Sequence, residues 1–204
     1  MIPGFPRILT CPHCGAEKQV LSLVSGNTFG QTVWSDNKTI APMLLRPSFV
    51  QKCPQCGGYF LLSRQTDHRF AIDGHSWDKG DLTYEQLKEA YASFKGAELS
   101  DDERQTILLY LLWAFNDTYT REEPKEIPDV ELSYFQGVVN ELLPLIGDPL
   151  LRAELYRELS DFDKASEELS KATNSEEWYL EIKESINQHI VAKDSGVFVL
   201  IQGR

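Results

Sequence analysis

The chain has 204 residues, of which 42% are hydrophobic and 25% are charged, and its formal net charge is −11. This composition is typical of a globular protein and excludes disordered, collagen-like and mucin-like chains. The longest apolar run, Ile107–Phe115, is far shorter than the roughly 20 residues that a membrane-spanning helix needs, so we expect no membrane contact. The first residues contain neither a basic region nor a long apolar stretch, which predicts no signal peptide and a cytoplasmic location.

The charge is divided unevenly along the chain. Residues 1–75 carry seven Lys and Arg against four Asp and Glu, whereas residues 76–204 carry 13 against 27. This asymmetry predicts two parts of different character. The acidic part is unsuited to binding nucleic acid, because phosphates favour lysine and arginine.

All four cysteines lie in two matching motifs, Cys11-Pro12-His13-Cys14-Gly15 and Cys53-Pro54-Gln55-Cys56-Gly57. Each motif predicts a tight turn that directs two sulfur atoms to one point, since proline fixes φ and glycine permits a positive φ. Two such turns facing each other supply four thiolates, the tetrahedral set that Zn²⁺ prefers. We therefore predict a zinc ion bound by Cys11, Cys14, Cys53 and Cys56.

Other chemistries for these cysteines are disfavoured or left open. Two structural disulfides do not suit a chain without an export signal, and a thioredoxin-type redox pair needs a single motif at the start of a helix. Iron in a rubredoxin-like site stays an alternative, because the same ligands bind both metals. Four cysteines complete the coordination shell, so we predict a structural site that folds its domain, with His13 as an exposed loop residue.

The sequence between and after the motifs predicts short β-strands at about 19–24, 28–34, 39–40 and 58–63, separated by turn signals. Residues 11–62 resemble the zinc-ribbon superfamily in their paired C-P-x-C-G motifs, although the interval between the motifs is longer than in compact ribbons. The resemblance implies a small antiparallel β domain held by metal. It implies no single function, since zinc ribbons occur in transcription factors, ribosomal proteins, topoisomerases and as adaptor modules on bacterial proteins of unknown role.

Residues 64–82 are polar and contain glycines, which predicts a linker between domains. They include five potential ligands of a hydrolytic metal, namely Asp67, His68, Asp73, His75 and Asp78. These residues show no recognised catalytic spacing, and the chain lacks the motifs of serine hydrolases, zinc proteases and nucleotide-binding enzymes. An enzyme with its site near His68 and His75 is therefore only the third hypothesis.

From residue 83 onward the apolar periodicity becomes helical. Thr83 with Gln86 and Ser100 with Glu103 form the pattern of a capping box, which marks a helix start. We predict helices at about 84–95, 101–118, 129–143, 149–159, 162–173 and 176–192. Most helix aromatics, Trp178 included, are expected inside. The tail at 196–201 is apolar and β-rich, and we expect it to dock on another element.

The fourth and fifth predicted helices carry a spacing of small and aromatic residues, with Ala153 and Tyr156 on the fourth helix and Ala165 on the fifth. Residues 146–179 thus resemble one tetratricopeptide repeat, although Pro149 and Arg152 stand where the family has Trp and Leu. The resemblance implies an antiparallel helical hairpin in which the small alanines let the helices approach closely. An ordinary helical bundle is the alternative.

These assignments predict an α+β protein with a zinc-bound antiparallel β domain at 1–63, a linker at 64–82 and an acidic, tetratricopeptide-like helical-hairpin domain at 83–204 that ends in the short tail. The leading hypothesis is a zinc-stabilised adaptor that binds a protein or peptide through its helical array. The alternative is a nucleic-acid-binding regulator that uses the ribbon. Its basic and aromatic surface would consist of Arg46, Lys52, Arg64 and Arg69 with Phe49, Tyr59 and Phe60.

Overall fold

The computed structural model describes residues 1–66, 68–121 and 123–203. The strands are β1 (Ile2–Pro3), β2 (Arg7–Thr10), β3 (Glu17–Val20), β4 (Leu23–Ser25), β5 (Thr32–Trp34), β6 (Thr39–Ile40), β7 (Val50–Lys52), β8 (Tyr59–Leu61) and β9 (Val199–Gln202). The helices are α1 (Tyr84–Phe94), α2 (Asp101–Tyr119), α3 (Asp129–Leu142), α4 (Pro149–Glu158), α5 (Phe162–Ser170) and α6 (Glu177–Val191). Antiparallel β-sheets in the N-terminal region thus precede a series of helices, in agreement with the predicted α+β class.

The helices begin where the sequence places their caps. Both capping boxes form. The hydroxyls of Thr83 and Ser100 accept hydrogen bonds from the backbone N–H three residues later, and the side chains of those later residues, Gln86 and Glu103, accept from the backbone N–H of Thr83 and Ser100. The side chain of Asp148 caps α4 just before Pro149. Within the described residues, no helix is both long enough and apolar enough to cross a bilayer.

The chain divides into two compact units. The first, which we call the β unit, contains Met1–Gln31, Ala41–Leu99 and Gly203 near the C-terminus. The second, the helical unit, contains Thr32–Ile40 and Ser100–Gln202. This division differs from the predicted domain ranges, because residues 64–82 and α1 belong to the β unit and the segment Thr32–Ile40 belongs to the helical unit.

The β unit is built around two antiparallel hairpins, β2–β3 and β7–β8. Each hairpin carries one cysteine motif at its tip, so the two motifs occupy equivalent positions. The core next to them contains Leu9, Val20 and Phe60 together with Cys11 and Cys53. A cluster this small that includes two cysteines is one whose packing a bound metal would stabilise.

The polar segment that was predicted as a linker is hydrogen-bonded to the β unit. The backbone N–H of Ile8 donates to the carbonyl of Arg69 at 2.9 Å, and the N–H of Leu21 donates to the carbonyl of Asp78 at 2.7 Å. These bonds hold the segment against β2 and against the end of β3. Backbone hydrogen bonds need no apolar side chains, so the composition of the segment does not reveal its docking.

In the helical unit, α4 and α5 pack together as a hairpin with Ala153 and Ala165 fully buried between them. The turn between the two helices places Ser160 at φ +60°, a left-handed conformation that reverses the chain in a few residues. Ile186 and Ile190 of α6 complete the same core cluster. The three helices therefore share one apolar core.

A three-stranded antiparallel sheet completes the helical unit, with β5 between β6 and β9. The N–H of Ser35 donates to the carbonyl of Phe198 at 2.8 Å, and the N–H of Phe198 donates to the hydroxyl of Ser35 at 3.1 Å. The C-terminal tail thus docks, as expected, and its partner is a hairpin from the interval between the cysteine motifs. That interval is long because it contains a segment of the helical unit.

Candidate metal centre and buried charged network

The four cysteine sulfur atoms form a compact cluster. All of them lie within 4.8 Å of one another, and Sγ–Sγ distances of 3.7 Å separate Cys11 from Cys56 and Cys14 from Cys53. Four sulfur atoms bound to Zn²⁺ at about 2.3 Å lie about 3.8 Å apart, since this is the edge of the tetrahedron they form. The four cysteines are free thiols, and their spacing fits a four-sulfur metal site.

The two motifs fold in the same way. In each, the N–H of the first cysteine donates to the carbonyl five residues later, and the N–H of the glycine donates to the carbonyl of the first cysteine, at 2.8–3.0 Å. Gly15 and Gly57 have φ values of +75° and +73°, which a residue with a Cβ adopts only at a cost. The glycines therefore close the turns that aim the sulfur atoms.

One cysteine of each motif faces the core and the other faces solvent. Cys11 and Cys53 are buried, whereas Cys14 and Cys56 are exposed. Hydrogen bonds from backbone N–H groups, chiefly that of Cys56, lower the pKa of Cys53 to about 6, so this thiol is ionised at neutral pH. The N–H of Ala16 acts to lower the pKa of Cys14, but desolvation and the neighbouring cysteines outweigh it and raise that pKa to about 12. A cation at the centre relieves such crowding of negative charge.

His13 connects the two hairpins beside the sulfur cluster. Its Nε2 lies 3.0 Å from the backbone carbonyl oxygen of Tyr59, and the residue is exposed, as the sequence predicts. A Cβ on Gly58 would lie 2.7 Å from Cδ2 of His13, so this glycine leaves room for the ring. The contact joins the first motif to the second hairpin without using the metal.

The histidines and acids of the segment 64–82 form no second centre among the described residues. Among all the residues that the structure describes, the four cysteines are the one group of three or more potential ligands that lies close enough to share an ion. Asp67 lies outside the described residues. His75 Nδ1 lies 3.4 Å from the carbonyl of Gly4, and Asp78 pairs with Lys18 at 3.3 Å. These contacts hold the segment to the β unit.

The residues of the alternative nucleic-acid surface are largely engaged inside the β unit. Tyr59 and Phe60 are buried, so their rings are not open to stacking with bases. Arg69 forms an ion pair with Glu17 at 2.7 Å, and Arg64 donates to a backbone carbonyl at 2.7 Å. This arrangement offers little support to the nucleic-acid hypothesis.

A buried charged network lies in the helical unit, and no sequence motif predicts it. Asp36, in the turn between β5 and β6, is fully buried. Its Oδ2 accepts hydrogen bonds from Nη2 of Arg121 at 2.5 Å and from Nδ2 of Asn116 at 3.0 Å. The same Nδ2 donates to Oε2 of Glu158 at 2.9 Å, and the Arg121 guanidinium lies 4.6 Å from the centre of the Trp34 ring.

The network continues along α4 with a second buried ion pair. Arg157 and Glu154 are both fully buried, and Nε and Nη2 of the arginine donate to the two carboxylate oxygens at 2.8 and 2.5 Å. The Nη1 of Arg157 donates to the backbone carbonyl of Asp194, and its guanidinium lies 5.1 Å from the centre of the Phe198 ring. The pair therefore connects α4 to the chain that leads into β9.

Glu158 completes the network, and it is the carboxyl group for which no buried arginine is left as a counter-charge. Burial raises the pKa of Glu158 well above its ordinary value, and the carboxylates of Glu154 and Asp36 raise it further. The other oxygen of Glu158, Oε1, is buried without a hydrogen-bond partner among the described atoms, which a neutral carboxyl tolerates better than a carboxylate. With Glu158 protonated, Arg121 and Arg157 balance Asp36 and Glu154.

Replacing Glu158 with Gln is expected to reduce the pH dependence of the helical unit's stability. Folded Glu158 holds its proton to a higher pH than unfolded Glu158, so its contribution to the free energy of unfolding falls as pH rises above about 4.3, by up to about 1.4 kcal/mol per pH unit. Gln removes this titration. The free energy of unfolding of the variant should therefore rise relative to that of the wild type between pH 5 and pH 8. Urea unfolding followed by circular dichroism measures the difference, with the exposed Glu123→Gln as control. Parallel pH profiles for the wild type and E158Q would contradict the assignment.

In comparisons with known proteins, no family model, no curated protein and no solved structure matches this chain. The resemblances to zinc ribbons and to tetratricopeptide repeats therefore rest on the sequence motifs. What the structure adds is the sulfur cluster and the packing of the helices.

Proposed function

We propose that the chain is a zinc-stabilised adaptor of the cytoplasm. In this proposal the four cysteines hold one Zn²⁺ ion that folds the β unit, and the helical unit binds a protein or peptide partner. A four-thiolate site of this kind suits a compartment that keeps thiols free.

The outward face of α6 is the observation that carries the proposal. Ile186 and Ile190 anchor one side of the helix in the core. About a third of a turn around the helix from them, Leu180 is 48% exposed and Val191 is 76% exposed, and these two residues lie about three turns apart along the same face. Trp178, expected inside from the sequence, is 55% exposed near the start of the helix. These three large apolar side chains of one helix are thus left exposed, and a bound partner would cover such surface.

The spacing of the sulfur atoms supports a structural role for the metal. Four protein ligands leave no open position at a tetrahedral ion, and catalytic zinc sites keep one. The metal therefore serves to fix the two hairpins to each other. Iron, which the same ligands bind, is distinguished by metal analysis and by the visible absorption of the purified protein.

The packing of α4 against α5 supports a tetratricopeptide-like hairpin. Ala153 and Ala165 are fully buried where the two helices meet, which is the role that the resemblance implies for small residues. Stacked hairpins of this kind present an extended surface to a peptide or protein. The face of α6 lies at the end of such a stack, where it can receive a partner.

Photo-crosslinking in cells tests the proposal. A photoreactive residue in place of Asn187, which is exposed on α6, should give a discrete adduct with a partner protein. The same residue in place of Gln136, which is exposed on α3, serves as the matched control. The proposal fails if Asn187 gives no adduct, or if both positions give the same one.

A further inference from the structure

We propose that the partner of the helical unit is a basic amphipathic segment that binds along α6. This inference rests on the proposed function and makes its partner specific. The binding surface, which we call the α6 ridge, consists of Leu180 and Glu184 with the neighbouring carboxylates Glu177 and Glu181.

A groove runs beside the α6 ridge, between α5 and α6. It has a volume of about 550 Å³. Ser166, Leu169 and Ser170 of α5 line one side, and Leu180, Lys183, Glu184 and Asn187 of α6 line the other. A second depression lies on the other side of Leu180 and Glu184, along Glu177 and Gln188. The ridge thus stands between two hollows, a shape that receives side chains from both sides of a partner segment.

On the α5 side of the groove, the serine hydroxyl groups already donate hydrogen bonds within their own helix. The hydroxyl of Ser166 donates to the carbonyl of Phe162 at 3.0 Å, and that of Ser170 donates to the carbonyl of Glu167 at 2.7 Å. Both serines are small and bonded within their own helix, so they create space without presenting a free donor. An apolar side chain of the partner can therefore lie beside Leu180.

The α6 ridge also has a charge that the described chain does not neutralise. Glu177, Glu181 and Glu184 are exposed and form no ion pair within the described part of the chain. The nearby cation, Lys183, instead donates to the carbonyl of Ala172 at 2.7 Å. Like charges three and four residues apart weaken a helix, so cations of a partner would remove a repulsion as well as form new contacts.

The net charge of the helical unit decides which occupant fits. Its residues include 10 Lys and Arg against 23 Asp and Glu, a balance of −13. A second copy of this unit, or a nucleic acid, would bring negative charge to a negative surface. A segment with lysine or arginine flanking a row of apolar residues complements both the carboxylates and the groove.

Two synthetic peptides test the charge of the partner on the full zinc-loaded chain. The first has leucines on one helical face and lysines on its flanks, and the second has glutamine in place of every lysine. In nuclear magnetic resonance titrations at about 150 mM salt, the basic peptide should shift the amide signals of α5 and α6. The double variant Glu181→Gln with Glu184→Gln should weaken its binding about tenfold, through two contacts of about 0.7 kcal/mol each.

A matched control removes the same number of charges elsewhere on the helical unit. The double variant Glu123→Gln with Glu126→Gln, at exposed positions, should weaken binding less than twofold. An equal loss in both double variants would show general attraction to an acidic protein and would overturn the inference. If the glutamine peptide binds at α6 as tightly as the basic peptide, the inference of a basic partner is overturned, while the proposed function as an adaptor stands. If neither peptide shifts α5 or α6 and Asn187 gives no crosslink, the proposed function fails as well.

Discussion

Removal of the metal is expected to unfold the β unit and to leave the helices of the helical unit folded. Cys11 and Cys53 are core residues of the β unit beside Leu9, Val20 and Phe60, so the ion and the core stabilise the same hairpins. Structural zinc sites contribute on the order of 10 kcal/mol to folding, which is comparable to the whole stability of a domain. After chelation, hydrogen exchange should show that amides in β2, β3, β7 and β8 lose protection while those in α2 to α5 keep it.

Two variants at the exposed Cys14 separate loss of the metal from loss of a thiol. Cys14→His keeps a ligand atom, and sites with three cysteines and one histidine are common for zinc, so this variant should retain one metal ion per chain and protected hairpins. Cys14→Ala supplies no ligand and should lose both. If the hairpins keep their protection without metal, then their own contacts, including that of His13 with Tyr59, are sufficient to fold them.

The turn that holds each pair of cysteines was predictable because its information is local, whereas the meeting of the two turns, which brings Cys11 to Cys56 across 45 positions, was inferred from their matching pattern. The proline and glycine of each motif determine the turn, and the turn alone determines where the two sulfur atoms point. The helix starts were predictable for the same reason, since Thr83 and Ser100 interact with residues only three positions away. These features require no knowledge of the rest of the fold.

The allocation of segments to the two units was not predictable in this way. The segment Thr32–Ile40 was predicted as part of the β domain at 1–63, yet its strand β5 pairs with β9 at the other end of the chain. The polar residues of 64–82 predict a linker, yet their backbone bonds to β2 and to the chain after β3. Both pairings depend on backbone groups, which every sequence possesses, and so leave no signal in composition or periodicity.

The burial of charged residues on α4 is a second feature that the sequence did not predict. Glu154 and Arg157 are three residues apart, a spacing that is typical of an exposed helical ion pair. They are buried because distant parts of the chain cover them, among them Phe198, whose ring faces the guanidinium of Arg157. An ion pair that would contribute little at the surface becomes sensitive to mutation in the interior, where an unpaired charge is costly.

Replacing Arg157 with Leu is therefore expected to destabilise the helical unit by about 3–5 kcal/mol, the usual cost of removing one partner of a buried pair. The change leaves Glu154 buried without a counter-charge, next to Glu158, whose raised pKa already reflects the shortage of positive charge. It also removes the donor to the carbonyl of Asp194, which holds the chain that leads into β9. The free energy of unfolding in urea, measured in excess zinc so that the β unit stays folded, gives the size of the loss.

The double variant Arg157→Leu with Glu154→Leu identifies the cause of that loss. It leaves no carboxylate of the pair in the interior, and buried pairs are often replaced by apolar residues at little cost, so most of the stability should return. The exposed Arg104→Leu on α2 should change the free energy of unfolding by less than about 0.5 kcal/mol. A double variant as unstable as the single one would mean that the bond to Asp194 and the packing against Phe198, and not the unpaired charge of Glu154, make Arg157 necessary.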